Sequence, residues 1–189
     1  MKSNLGKIFK GLSQISHDVT QFLSSFYKVG IAIAADFEDI SNHPKNLMLD
    51  FESAIVYVSS NSSGQMGVFD NYFEVIASQN DVVDYLTKLG YKAEVIDGSS
   101  DEISLVTAGV KTGIGDISPV NSLVVKGIGL TGAIGVILTN APLEKMELDG
   151  KTCTNCMKCL KVCPIREEAN AKGNLDNCAC GKCVNICPV

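Results

Sequence analysis

The sequence predicts a mixed helix-and-sheet protein, of α/β or α+β class, with a small cysteine-rich module at its C-terminal end. Three observations carry this. Helical and strand periodicities alternate over residues 1–149. All eight cysteines fall between Cys153 and Cys187. The chain has 189 residues, 46% of them apolar, which is enough for one domain of ordinary size plus a small appendage.

The elements follow in order. Leu5, Ile8, Phe9, Leu12, Ile15, Val19, Phe22, Leu23 and Phe26 recur at three- and four-residue steps, so the chain opens with a helix that has one apolar face. Val29–Ala35 reads as a buried strand, and His43-Pro44 breaks the chain. Ser53–Ser59 is a second buried strand, followed by the polar loop Asn61–Gly64. Phe69, Tyr72, Phe73, Ile76, Val83 and Leu86 share one helical face, and Gly90 suits the position just past that helix. Tyr91–Ile96 is a third strand. Asp101–Ala108 is a short helix, with Asp97, Asp101 and Glu102 as capping residues rather than catalytic ones. Gly109–Pro119 is a glycine-rich loop. Ser122–Lys126 and Ala133–Thr139 are two strands joined as a hairpin through Gly127–Gly132. Leu148-Asp149-Gly150-Lys151 reads as a turn. This divides the chain into residues 1–149 and 150–189.

Composition narrows the function. The net charge is −5 and Arg166 is the only arginine, so bidentate clamps on phosphate are not expected, nor is a nucleic-acid partner. No apolar run is long enough to span a bilayer. Lys2, Lys7 and Lys10 are not followed by a continuous apolar segment of the secretory kind. A cytoplasmic location is expected, where clustered cysteines mean metal and not disulfides.

The first cysteine unit reads Cys153-x-x-Cys156-x-x-Cys159-x-x-x-Cys163-Pro164. This is the bacterial ferredoxin run, in which three close cysteines bind one 4Fe–4S cluster and the fourth reaches another. The two-residue gaps let a tight loop wrap three thiolates around one face of a cube. The three-residue gap puts the fourth on a short helix pointing away. The second unit reads Cys178-x-Cys180-x-x-Cys183-x-x-x-Cys187-Pro188. Crossed pairing gives one cluster Cys153, Cys156, Cys159 and Cys187, and the other Cys163, Cys178, Cys180 and Cys183. Zinc also takes paired Cys-x-x-Cys, but two adjacent runs that each end in Cys-Pro specify crossed clusters. Cys178 stands one residue closer than the pattern asks, which leaves open a 3Fe form or another ligand at that cluster. Lys151, Lys158, Lys161, Arg166, Lys172 and Lys182 surround the motif. They either favour the reduced clusters and dock an acidic donor, or form a solvated face balanced by Glu167, Glu168 and Asp176.

Other motifs are weaker. Gly127-Ile128-Gly129-Leu130-Thr131-Gly132 matches the dinucleotide fingerprint, but a strand pattern follows where a helix is required, so it reads as a turn. Gly113-Ile114-Gly115 lies in a loop poor in side chains, which suits either a tight connection or the close approach of a flat cofactor. His17 and His43 form no metal-spaced pair. No nucleophile elbow is present, and no catalytic residue is assigned.

The order of these pieces resembles the epoxyqueuosine reductase and corrinoid reductive dehalogenase families. The resemblance rests on Thr112-Gly113-Ile114-Gly115-Asp116-Ile117, Asn121-Ser122-Leu123-Val124-Val125 and Gly135-Val136-Ile137-Leu138-Thr139-Asn140-Ala141-Pro142-Leu143-Glu144 ahead of the cysteines. It is strongest over residues 105–189. It implies a nitroreductase-like domain at 1–149 with a ferredoxin-type domain at 150–189. It also implies a cobalamin, or less readily a flavin, beside the nearer cluster, close to Gly113, Gly115, Ser118, Asn121 and Ser122. The Asp-x-x-Pro-x-x-Glu-Arg segment of the epoxyqueuosine reductases is missing, with only Asp97 and Asp101 near its place, so chemistry on tRNA is not implied. The expectation is an iron–sulfur electron-transfer protein of an anaerobe's cytoplasm, passing low-potential electrons to a partner protein or bound cofactor. The alternative is a minimal corrinoid- or flavin-dependent reductase. A third reading gives the clusters a structural role only.

Overall fold

Two strands, buried on both faces, organise the molecule. In the computed structural model they are Ser53–Val58 and Ile134–Thr139, and they pair antiparallel with Ile55 opposite Ile137 and Val56 opposite Val136. Side chains alternate across a strand, so each feeds two cores. Ala54, Val56, Val58, Val136 and Leu138 enter one, while Ile55, Tyr57 and Ile137 enter the other. The structure describes residues 2–59, 65–96, 103–130, 133–164 and 182–189, with side chains from residue 11 on and, in the second helix, from residue 75 on.

The elements are α1 (Lys2–Phe22), β1 (Lys28–Ile33), β2 (Ser53–Val58), α2 (Gln65–Lys88), β3 (Ala93–Val95), α3 (Leu105–Lys111), β4 (Asp116–Ile117), β5 (Leu123–Val125), β6 (Gly129–Leu130), β7 (Ile134–Thr139), α4 (Lys158–Val162) and α5 (Lys182–Ile186). The main sheet runs β1-β2-β7-β3, and each of its pairings is antiparallel. The class is therefore α+β. One face of the sheet is covered by α1 and α2 through Val19, Leu23, Val75, Val82 and Leu86. The other is covered by α3 and by a second sheet of order β4-β5-β6.

Several boundaries differ from expectation for physical reasons. α1 stops at Phe22, but Leu23 and Phe26 stay buried in the turn that follows, and Phe26 packs edge-on to Tyr57 with ring centroids 4.6 Å apart. The apolar spacing thus outlasts the helix. β1 ends at Ile33, where Ala34–Phe37 turn as a 3-10 helix. α3 begins after its cap Ser104 and runs to Lys111. Gly109 lies inside it because a Cβ there would stand 2.7 Å from Leu123 Cδ2, so helix and β5 are in direct contact. Asp97, Asp101, Glu102 and the loop Asn61–Gly64 fall outside the described residues.

The expected hairpin between Ser122–Lys126 and Ala133–Thr139 is not formed. β5 pairs with β4 and β6, whereas β7 lies between β2 and β3. β7 has apolar neighbours on both faces and needs the centre of the larger sheet. The glycines make a tighter turn than expected: Gly127 at φ +90° returns the chain so that Gly129 opposes Val125.

The small sheet positions the cysteine module. Leu123 and Val125 face the main core. Val124 and Leu130 face a third apolar cluster with Val120, Cys159, Cys163 and Cys183. One thin sheet thus separates the main core from the buried cysteines.

Candidate metal centre

The loop from Cys153 to Cys159 turns sharply because two of its residues are left-handed, Asn155 at φ +53° and Met157 at φ +61°. Asparagine accepts this conformation, while methionine does so at a cost of about 1–2 kcal/mol. α4 then starts at Lys158 and α5 at Lys182, and the two helices pack together. Cys159 on α4, Cys183 on α5 and Cys163 just after α4 are buried. Cys153 and Cys187 are half-buried, and Cys156 is exposed. No disulfide joins any two of the six described cysteines.

Cys153, Cys156, Cys159 and Cys187 border one small cavity. These are the four that crossed pairing assigns to one cluster. Cys187 reaches them from the far end of the motif because the turn after α5 lies against β6. Gly129 makes this approach possible: it sits at φ +72°, and a Cβ there would be 3.1 Å from both Cys187 Cβ and the Val189 carbonyl oxygen. Val124 and Leu130 wall the cavity on the side of the small sheet. Of the other quartet, Cys163 and Cys183 share one buried apolar cluster; Cys178 and Cys180 lie outside the described residues.

The donor set suits an iron–sulfur cluster. Four cysteines at ferredoxin spacing are the ordinary ligands of such a cluster. Among the described residues no three histidine, cysteine or acidic side chains are placed to hold one ion. The backbone N–H of Lys158, bonded to the sulfur of Cys156, draws that thiol below its ordinary pKa. Burial pushes the Cys159 thiol up, and the neighbouring Cys153 and Cys156 add to the rise. Four thiolates held close together in partly apolar surroundings repel one another, and bound iron would offset that repulsion.

The residues expected near an organic cofactor are placed as follows. Ser118, Asn121 and Ser122 belong to the β4–β5 hairpin. Asn121 N donates to the Ser118 carbonyl oxygen at 2.9 Å, Ser118 N to the Ser122 carbonyl oxygen at 2.9 Å, and Ser122 N to Ser118 Oγ at 3.0 Å. With Pro119 next and Asn121 at φ +55°, this is a three-residue loop closed by a left-handed residue. Ser118 and Pro119 also border the cysteine cavity. Gly113 and Gly115 make close approaches to the protein's own chain. A Cβ on Gly113 would lie 2.6 Å from the Leu148 carbonyl oxygen, one on Gly115 2.4 Å from that of Val124, and one on Gly150 2.7 Å from that of Gly113. The glycines let the segment leading to the cysteines lie directly on this loop. Lys28 Nζ donates to the Ile114 carbonyl oxygen at 2.9 Å and fixes the loop from the other side; partial burial lowers its pKa, and Asp149 counters this.

The histidines are not brought together. His17 is exposed on α1, and His43 Nδ1 accepts from Lys45 N at 3.0 Å to cap a turn at Pro44–Asn46. Gly129 is the functional position that the sequence reading missed. Its signal was present, since the nucleotide-like glycine run lies in a strand context where glycine marks a close backbone approach.

Residues 145–188 match the family model described as a 4Fe–4S dicluster domain. The chain is also similar in fold to epoxyqueuosine reductase from Bacillus subtilis, at 15% identity and a TM-score of 0.61, over 80% of this chain and 52% of that one. An epoxyqueuosine reductase solved with an epoxyqueuosine-modified tRNA-Tyr stem loop gives 15% identity and a TM-score of 0.59, over 80% and 51%. A reductive dehalogenase, whose structure is described as suggesting a mechanism for B12-dependent dehalogenation, gives 18% identity and a TM-score of 0.57, over 75% and 23%. The chain spans about half the length of the epoxyqueuosine reductases and about a quarter of the dehalogenase. At these identities the likeness is one of fold. Comparison with curated protein sequences gives no match. No helix among the described residues is long and apolar enough to cross a membrane.

Proposed function

We propose that this chain is an iron–sulfur electron-transfer protein of the cytoplasm with two 4Fe–4S clusters held by residues 150–189. One is held by Cys153, Cys156, Cys159 and Cys187, the other by Cys163, Cys178, Cys180 and Cys183. The observation that carries the reading is the meeting of Cys187 with the first three-cysteine loop at one cavity. Cysteines so far apart in the chain share a cavity only if the module folds back on itself, as crossed ligation requires. When bound, such clusters supply one-electron chemistry at potentials between roughly −700 and +450 mV.

The chain's own residues set the surroundings. Val124 and Leu130 keep water from the inner side of the cavity, and Gly129 lets Cys187 close it. Exposed Cys156 and Met157 leave the outer side reachable by a partner protein.

A second reading, a minimal corrinoid- or flavin-dependent reductase, is favoured by Ser118 and Pro119. These residues of the β4–β5 hairpin border the cysteine cavity, so a flat cofactor against residues 113–122 would lie one wall from the thiolates. In that reading residues 1–149 hold the cofactor. One epoxyqueuosine reductase of this fold is solved with a tRNA stem loop; the single arginine and the net charge of −5 argue against a nucleic-acid partner for this chain.

The test is reduction by dithionite of protein purified without oxygen, followed by electron paramagnetic resonance, with extraction for corrinoid and flavin. Reversible one-electron reduction without an organic cofactor is the expected result. Corrinoid or flavin near one per chain establishes the reductase instead. Iron that cannot be reduced reversibly sinks both and leaves a structural role.

A further inference from the structure

Among the described residues, those of the cysteine module carry charge of one sign. From residue 150 on, the described residues include Lys151, Lys158, Lys161 and Lys182, all exposed, and no aspartate or glutamate. None of the four lysines pairs with a described carboxylate. The nearest acid in sequence, Asp149, acts on Lys28 of the first domain. From Lys145 onward the sequence has seven basic residues against five acidic, whereas the whole chain has 16 against 21. The module is thus a basic end on an acidic protein.

A second observation locates the contact. Cys156 is the one exposed cysteine among those described, and Met157 beside it is 41% exposed. Both border the cavity, so the cavity meets solvent along this rim. Lys158 follows directly, and Lys161 lies one turn further along α4, on the same side. α5, which begins at Lys182, packs against α4. An apolar tip is therefore flanked by positive charges. Lysine is a compact, hydrated charge on a flexible stem. Such charges steer encounter and raise on-rates without locking a complex, as small, transient redox interfaces need.

We infer that the rim formed by Cys156, Met157, Lys158 and Lys161 is the docking surface for an acidic one-electron carrier protein. The inference rests on the electron-transfer reading and adds the partner's chemistry to it. One electron crosses between the carrier's redox group and this chain's clusters, with no bond made or broken and no proton moved.

The test uses the iron-loaded full chain, reduced with dithionite and freed of excess reductant. It is then oxidised in a stopped-flow instrument by one of two one-electron oxidants of opposite charge: the anionic cobalt(III)–EDTA complex and cationic hexaamminecobalt(III). Lys158→Glu with Lys161→Glu is expected to slow the anionic oxidant about tenfold at low salt and to speed the cationic one. Both differences should vanish near about 1 M salt, where the Debye length is about 3 Å. Poly-L-glutamate, standing in for the acidic partner, should slow the anionic oxidant on the wild type and not on the variant. Lys45→Glu with Lys88→Glu, the same charge change on the first domain, should leave both rates alone. If the charge-reversed variant fails to hold iron, Lys158→Gln with Lys161→Gln replaces it, with about half the effect on a logarithmic scale. Wild-type rates in an iron-replete rim variant, or equal effects from the distant pair, overturn the docking surface while electron transfer stands. A wild-type protein with no reducible iron removes the electron-transfer reading, and the inference with it.

Discussion

Gly129→Ala separates the role of β6 at the cysteine cavity from plain backbone strain, because Gly90 supplies a matched control. Gly129 is at φ +72° and Gly90 at φ +90°, so alanine is strained at either by about 1–2 kcal/mol. A Cβ on Gly90 would meet nothing within 4 Å, whereas one on Gly129 would stand 3.1 Å from Cys187 Cβ and 3.4 Å from its sulfur. Ordinary contacts between carbons are about 3.5–4.0 Å, so Cys187 must shift by about half an ångström relative to the other three thiols. Each variant should lose about 2–8 °C of thermal stability, at roughly 2–4 °C per kcal/mol for a chain of this size. Only Gly129→Ala should lose iron, about four per chain, with an altered paramagnetic spectrum of the reduced protein. The assay is iron and sulfide content beside the melting temperature, on protein prepared without oxygen. Full iron in Gly129→Ala, or equal iron loss in Gly90→Ala, would refute the placement of Cys187 as a ligand held in position by β6.

Gly135→Ala places a Cβ 2.3 Å from Tyr57 Cζ, and that ring is fully buried with its hydroxyl donating to the Val75 carbonyl oxygen at 2.9 Å; overpacking should cost about 1–3 kcal/mol in urea unfolding, partly recovered by Tyr57→Leu. Asn121→Val should destabilise the β4–β5 turn by about 1–2 kcal/mol, since Asn121 is left-handed at φ +55°, and Asn121→Gly should be much milder. The Tyr85 hydroxyl donates to Asp18 Oδ2 at 2.6 Å. This bond, with that from Gln14, holds the Asp18 carboxyl below its ordinary range, while burial first and Asp18 second push the Tyr85 hydroxyl up to about 12. Asp18's contribution is therefore present above the ordinary carboxylate pKa of about 4 and lost as pH falls through the lowered value; Tyr85's is present below about pH 10 and lost as pH rises toward its raised value. Tyr85→Phe should flatten both limbs of the stability profile and raise the Asp18 pKa in an NMR titration; an unmoved Asp18 would count against the bond.

The parts legible in the sequence are those set by local pattern. β2 and β7 read as strands because both their faces are buried and the apolar run is continuous. The nearness of Cys187 to the first three cysteines is what the crossed rule expects, because ligand spacing is local. What escaped depends on partners distant in sequence. β4 and β6 have two residues each and exist only by pairing with β5. β7 skips its sequence neighbour to insert between β2 and β3, a choice set by burial on both faces and invisible to periodicity. Gly113, Gly115 and Gly150 read as a turn and a loop, yet they allow two segments of chain to lie against each other.

The most direct test of two clusters in crossed pairing is the iron and acid-labile sulfide content of the full chain purified without oxygen, repeated on Cys187→Ser. The wild type should carry about eight irons and eight sulfides per chain. Cys187→Ser should lose or convert one cluster and keep the other intact. Zinc in place of iron, or a Cys187→Ser variant with the wild-type iron count and spectrum, would contradict two clusters in crossed pairing.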